Sequence, residues 1–313
     1  MTTGPPFRVA VVGVGHFGRH HARILGQLPG VKLVGVVDID TARAEAVAAE
    51  VGTRAARDIA ALASGVDGVT IAVPTAAHAR VALPLLRAGI PVLVEKPIST
   101  TVDDADALVE TARASGTTLA VGHTERHNPA VTTGHQLVSL PRFIEVHRLA
   151  AFAPRSLDVD VVFDVMIHDL DVILAIVDSA PESIEAVGVP VLSDRIDIAN
   201  ARIRFRSGCI ANLTASRISR DQVRKLRVFQ PHAYVSIDYA AQHVEAWRVT
   251  RDGKGGPAIE GGPVDVPRAE PLKQELTDFV HAAQTGVPPR VTGADGRRAL
   301  GLAQRIATAI ASE

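Results

Sequence analysis

The 313-residue chain carries 33 basic and 34 acidic side chains, a formal charge of −1, with 47% hydrophobic and 21% charged residues. That length suggests about two domains with ample core, and the near-neutral balance argues against a nucleic-acid partner, which needs a concentrated basic surface. The single cysteine, Cys209, excludes an internal disulfide and a multi-cysteine zinc site and fits a reducing cytoplasm. Met1 to Phe7 is short and proline-broken, and no apolar run is long enough to span a bilayer, so the expectation is a soluble cytoplasmic protein with no membrane partner.

Phe7 to Val12 reads as a buried strand that runs into Gly13-Val14-Gly15-His16-Phe17-Gly18 and then a helical pattern, Arg19 to Leu28. Glycines at this spacing give a tight turn, close backbone approach to a pyrophosphate, and close helix–sheet packing. The helix N-terminus adds free N–H groups and partial positive charge. Gly13, Gly15, His16, Phe17 and Gly18 are therefore candidate cofactor contacts. The strand Val31 to Val37 ends in Asp38, 20 residues after Gly18. An acid there accepts hydrogen bonds from ribose hydroxyls and repels a 2′-phosphate, which favours NAD over NADP. The same residues also fit a glycine-rich turn in an unrelated α/β domain.

The alternation continues with a helix over Thr41 to Val51, a strand over Gly68 to Val73, and a helix over His78 to Arg87 closed by Gly89. A strand over Ile90 to Val94, a helix over Thr101 to Ser115 and a strand over Thr117 to Val121 follow. The pattern predicts an α/β fold whose first part, residues 1–122, is a Rossmann-type doubly wound parallel sheet. Pro74, Thr75 and His78 fall at a strand's carboxyl end and should line the cofactor cleft, though His78 equally suits a helix cap. Glu95-Lys96-Pro97 closes another strand, where ligands bind in parallel sheets. A lysine held there by an adjacent glutamate and a restricted backbone can be aimed at a reacting group; the alternative is a solvated loop.

Gly122 to Pro129 marks the exit from that domain, with Arg126 and Asn128 either in the cleft or capping the next helix. Val161 to Val177 is apolar except for Asp164, His168, Asp169 and Asp171. At helical spacing Asp164, His168 and Asp171 share a face, and a histidine beside a carboxylate is either an oriented base or a structural pair. From Ser183 to Val249 the period becomes alternating, predicting a C-terminal α+β domain, residues 123–313, with a large, mostly antiparallel, open-faced sheet. One face should pack on helices, and the other should cover the active site or meet a subunit. Arg251 to Pro267 reads as an exposed loop and Leu272 to Thr285 and Ala294 to Ala311 as helices. Arg148, Arg155, Arg217 and Arg220, with Lys225, suit either bidentate phosphate recognition or solvated strand edges. Nothing calls for a metal. Tyr234 and Tyr239 are followed four residues on by Asp238 and His243, not lysine, which excludes a short-chain dehydrogenase.

Taken in order, the Gly13/Gly15/Gly18 loop, Glu95-Lys96-Pro97 and the helix carrying Asp164 and His168 resemble the Gfo/Idh/MocA family (glucose–fructose oxidoreductase, inositol dehydrogenase and rhizopine-catabolism oxidoreductases). The resemblance spans essentially the whole chain. It implies a catalytic group of Lys96, Asp164 and His168, with Glu95, Lys96 and Arg126 near a bound NAD, and a final helix, 294–311, packing back near the nucleotide domain. It also implies a homodimer or homotetramer. The runs Asp164 to Asp171 and Thr214 to Ser219 further resemble the family's UDP-N-acetylglucosamine 3-dehydrogenases. That implies a sugar or nucleotide-sugar substrate; if its diphosphate meets guanidinium groups, Arg148, Arg155 and Arg217 are the candidate contacts. The alternatives are an inositol or free-sugar dehydrogenase, a bilin or imine reductase, or a non-catalytic NAD-binding regulator.

Overall fold

The computed structural model describes residues 4–63, 65–152, 159–250 and 257–312. They form two compact units: residues up to His123 together with Leu272–Arg297, and Thr124–Pro271 together with the residues from Arg298 on.

The first unit is built from β1 (Phe7–Val12), α1 (His16–Leu25), β2 (Val31–Val37), α2 (Thr41–Val51), β3 (Ala55–Ala56), α3 (Ala60–Ala63), β4 (Gly68–Ile71), α4 (His78–Arg87), β5 (Val92–Glu95), α5 (Val102–Ser115) and β6 (Leu119–Gly122). The sheet order is β3-β2-β1-β4-β5-β6, and every pairing is parallel. The order reverses between β1 and β4, which opens a crevice at their carboxyl ends. Cap chemistry sets the helix ends. Asp40 accepts from the Arg43 N–H to start α2, Thr101 accepts from the Asp104 N–H to start α5, and left-handed Gly52 and Gly116 stop them. Val9, Val11, Leu25, Val36 and Leu93 form the core with Leu276 and Phe279 from the C-terminal segment. A boundary at residue 122 misses that segment. It joins this unit because Gly68, lacking a Cβ, leaves room for the Phe7 and Phe279 rings.

The second unit holds α6 (Pro129–Gln136), β7 (Phe143–Leu149), a π-helical turn (Val162–Met166), α7 (Ile167–Val177), β8 (Pro181–Val189), β9 (Ile198–Phe205), β10 (Ile210–Ser216), β11 (Val223–Gln230), β12 (Ala233–Asp238), β13 (His243–Thr250) and β14 (Ala258–Val264). The chain ends in α8 (Pro271–Thr285) and α9 (Gly293–Ala311). The sheet order is β14-β13-β12-β11-β7-β10-β9-β8, antiparallel except for the β7–β10 pair. Only the first turn of α9 belongs to the nucleotide unit, where Gly293 and Gly296 lie against Leu119 and Val121. Its body supplies Ala299, Leu302, Ala303 and Ile306 to the second core. Among the described residues, no helix is long and apolar enough to cross a membrane.

Two strands depart from the sequence expectation. The central strand β7 buries Ile144, Val146 and Arg148 while Phe143 stays half-exposed, so a charge occupies a core position and the apolar alternation is masked. The described part of the expected loop 251–267 contains β14, whose glycines suggested a turn. Gly261, at φ 147°, is there because a Cβ would collide with the Ala246 carbonyl of β13.

The turn between β8 and β9 hangs on Asp197. Its buried carboxylate accepts from the backbone N–H groups of Val191 (2.8 Å), Leu192 (2.6 Å) and Ser193 (3.0 Å), and from Arg217 Nε (2.8 Å). Burial pushes the pKa up, but these donors hold it well below the usual carboxylate range. Asp197→Ala should cost about 3–5 kcal/mol at neutral pH, because it strands Arg217 and three backbone donors. A depressed pKa means this contribution is complete above the ordinary carboxylate range of about 4 and fades as pH falls below it. Urea denaturation at pH 7 and pH 3 checks both: the difference between variant and wild type should be smaller at pH 3.

Candidate active site

In the nucleotide unit, the sheet brings the sequence-predicted cofactor residues to one edge, the carboxyl ends of β1, β2, β4 and β5. Gly13 has φ +83°, and a Cβ there would meet the Ala72 oxygen at 2.6 Å. At Gly18 a Cβ would run into the Gly13 carbonyl oxygen, so α1 can start this close to the loop only with glycine. Gly15 caps α1, and a Cβ added to it would meet nothing within 4 Å. That leaves open space over the helix N-terminus, beside exposed His16 and Phe17. A bare backbone with free N–H groups under open space fits a dinucleotide pyrophosphate.

Asp38 sits at the end of β2, its carboxylate accepting from the Val14 N–H (2.8 Å) and the Asp40 N–H (2.9 Å). Arg43, which the sequence reading passed over, donates to the same carboxylate from Nε (3.1 Å) and Nη2 (2.8 Å). Partial burial pushes the Asp38 pKa up, but these donors leave it below its ordinary value. A ribose hydroxyl that reaches Asp38 would share its carboxylate with the exposed Arg43 guanidinium.

Pro74 and Thr75 lie at the turn after β4, the first exposed and the second half-buried. His78 is turned inward instead of lining a cleft. It is almost fully buried, with Nδ1 2.9 Å from the Pro97 carbonyl oxygen and Nε2 2.9 Å from that of Val73. Burial lowers its pKa, and the two carbonyls only partly offset this. His78 therefore sits between the segment just after Lys96 and the end of β4, its single neutral N–H donating to one of the two carbonyls. Glu95 is buried at the end of β5; its Oε2 accepts from the Lys96 N–H (3.1 Å) and its Oε1 faces His21 Nε2 (3.0 Å). Burial pushes the Glu95 pKa up, but the His21 hydrogen bond, the Lys96 charge and the Lys96 N–H keep it below the ordinary value. Lys96 itself is half-buried. His21 was missed by the sequence reading; the available signal was its place on the buried face of α1 with Gly18, Ala22 and Leu25.

In the second unit, Asp164 lies in the π-helical turn and His168 in the first turn of α7. The π turn alters the simple four-residue spacing, and such turns recur at functional sites. The four polar side chains of this segment divide into two pairs. Asp169 and Asp171 are buried, and each meets an arginine: Arg148 donates to Asp169 from Nε (2.6 Å) and Nη2 (2.9 Å), and Arg126 Nη1 lies 3.3 Å from Asp171. Asp164 and His168 are half-buried. Arg148 also donates to Glu125 (2.9 Å) and stands 5.0 Å from the Tyr239 ring centroid. Burial lowers the Arg148 pKa, but Asp169 and Glu125 more than reverse that. Asn128 caps α6 and donates to Glu125 and the Tyr239 carbonyl.

Two of the arginines expected to meet a phosphate are thus committed to the protein. Arg148 anchors α7 to β7, and Arg217 donates to Asp197, to Ser193 and to the Val159 carbonyl. Both are buried, and each charge is matched by a buried carboxylate, so a phosphate reaching either would have to share it with Asp169 or Asp197. Arg155 lies outside the described residues.

Comparison with known proteins identifies the family. An oxidoreductase family with an NAD-binding Rossmann fold matches residues 7–123, and the GFO/IDH/MocA C-terminal domain matches residues 145–236. UDP-N-acetylglucosamine 3-dehydrogenase from Acidithiobacillus ferrooxidans is 38% identical over 305 residues, 97% of each chain. The chain belongs to the Gfo/Idh/MocA oxidoreductase family. The solved structure of that dehydrogenase superposes with a TM-score of 0.91 at 37% identity, covering 97% of this chain and 98% of the other. An inositol 2-dehydrogenase from Rhodococcus erythropolis is 33% identical over 60% of this chain and 57% of its own. An aldose–aldose oxidoreductase from Caulobacter crescentus shares the fold, with a TM-score of 0.84 at 21% identity over 98% of each chain.

As a family member the chain is an NAD-binding oxidoreductase, and its glycine cradle gives a direct test. Adding a methyl at Gly18 forces the loop off the helix start at a cost of about 1–3 kcal/mol. Gly18→Ala should therefore weaken NAD binding by roughly tenfold to a hundredfold. Calorimetric titration with NAD reads this, and an unchanged dissociation constant contradicts the cradle.

Proposed function

We propose that the chain oxidises the 3-hydroxyl of UDP-N-acetylglucosamine, with NAD as acceptor, to give a 3-keto sugar. The observation that carries this reading is the 38% identity over 97% of both chains to the Acidithiobacillus enzyme of that name. Bound NAD supplies the hydride acceptor. The chain's own residues handle the proton and the charge. His168, oriented by Asp164, takes the hydroxyl proton, while the Lys96 ammonium holds the oxygen as it becomes negative. These roles come from the family motif carried onto these positions. Two local features support the reading: the backbone of Lys96 is hydrogen-bonded to Glu95, and Asp164 and His168 are the polar side chains of their segment that keep partial exposure.

We also propose a homodimer or homotetramer formed through the outer face of the large sheet. Phe143, Phe229 and Tyr234 stack across β7, β11 and β12, with ring centroids 5.6 and 5.0 Å apart, and Trp247 is 38% exposed on β13. Exposed aromatic clusters of this kind mark interfaces.

The test is absorbance at the reduced-nicotinamide band with NAD and UDP-N-acetylglucosamine, pulled forward by an aminotransferase and glutamate that consume the keto sugar. Turnover should appear with wild type and fall by about a hundredfold to a thousandfold in Lys96→Ala, the scale set by losing an oxyanion-stabilising group, while NAD still binds. Silence from wild type that binds NAD overturns the substrate, and the panel then moves to inositols and free sugars.

A further inference from the structure

Directly behind Lys96 lies a buried cluster that takes no part in the chemistry described so far. His21 from α1, Glu95 from β5 and Glu275 from α8 bring one ring nitrogen and two carboxylate oxygens within 4.8 Å of one another. His21 has no exposed surface, and Glu275 is 2% exposed. Space for the Glu95 carboxylate is made by Gly122 at the end of β6: a Cβ there would stand 3.0 Å from both Oε2 and the carboxyl carbon. Four elements thus build one enclosed seat for a single carboxylate, and that carboxylate belongs to the residue preceding Lys96.

The two oxygens of Glu95 face different ways. Oε1 meets His21 Nε2, so the imidazole donates there, and Oε2 accepts the Lys96 backbone N–H. A hydrogen bond from a rigid, fully buried ring fixes the carboxylate, and the carboxylate fixes the backbone from which the lysine side chain projects. The opposite flank is separate, with the Pro97 carbonyl against His78. His21 also lies on α1, one turn beyond Gly18, on the helix whose N-terminus forms the pyrophosphate cradle.

We propose that His21 is a positioning residue for Lys96, acting through the Glu95 carboxylate, so that the cofactor-binding helix also sets the place of the catalytic ammonium. This rests on the reading of Lys96 as the group that meets the substrate oxygen. Without the imidazole, Oε1 of Glu95 loses the donor that fixes it, and the Lys96 backbone N–H is left bonded to a carboxylate free to turn.

The experiment compares His21→Leu, which removes the donor at similar volume, with His21→Gln, whose amide can place an N–H near the position of Nε2. Rates are taken per folded, NAD-binding site, using NAD and the alcohol that turns over in the panel above. His21→Leu should lower kcat on the order of 10–100-fold, the scale of a misplaced catalytic group, with KM for NAD and for the alcohol within about threefold of wild type. His21→Gln should recover most of the loss. If leucine does not fold, His21→Asn, polar but too short to reach Glu95, takes its place with the same expectation. Wild-type kcat in the folded apolar or short variant overturns the proposal. So does a rise in KM for NAD at unchanged kcat, which makes His21 a cofactor-helix residue only, and so does an equal loss in His21→Gln. Lys96→Ala run alongside separates the two levels. If it retains turnover, the role of Lys96 itself is wrong; if it is inactive while His21→Leu is unaffected, only the positioning is wrong.

Discussion

A single carboxylate, buried where β5 leaves the sheet, organises the chemistry-bearing end of the nucleotide unit. Glu95 could be exposed at little cost at a loop start, and instead it is enclosed by α1, β6 and α8. An ionised group in such a place needs donors, and it has them in His21 and in the backbone of Lys96. Those bonds tie the residue most suited to meet a substrate to the helix most suited to meet a cofactor. The bareness of Gly122 follows from the same requirement for a closed seat.

The second unit solves a related problem on α7. Three carboxylates and a histidine enter a helix that is otherwise apolar, and two of the carboxylates are neutralised by Arg126 and Arg148 reaching in from neighbouring elements. Buried pairs of this kind contribute little net stability but lock the orientation of what they join. Here they hold the rotation of α7 about its axis, and that rotation determines where Asp164 and His168 point. Arg148 and Arg217 obey the same arithmetic, each buried against a carboxylate of its own.

Much of this was legible in the chain. The glycine loop, Asp38, and the strand–helix alternation before residue 122 carry short-range signals, because backbone conformation and helix capping depend on neighbours in sequence. Six of the eight strands in the second sheet showed as alternation. What stayed hidden depends on distant residues. Strand β7 was masked because Arg148 occupies a core position that only Asp169 and Glu125 make tolerable. The glycines of β14 look like a turn until β13 is alongside. The burial of His21 and the inward turn of His78 depend on partners more than 70 and 19 residues away, Glu95 and Pro97. The spacing argument for Asp164 and His168 did not anticipate the π-helical turn between them.

In the reaction proposed above, hydride leaves carbon 3 of UDP-N-acetylglucosamine for the bound cofactor. Its most direct test supplies UDP-N-acetylglucosamine deuterated at carbon 3 only, with NAD, and weighs the reduced cofactor by mass spectrometry. The account predicts reduced nicotinamide heavier by one deuterium, formed more slowly than from unlabelled sugar wherever hydride transfer limits the rate. Reduced cofactor of ordinary mass would contradict it, because the hydrogen would then have come from another carbon.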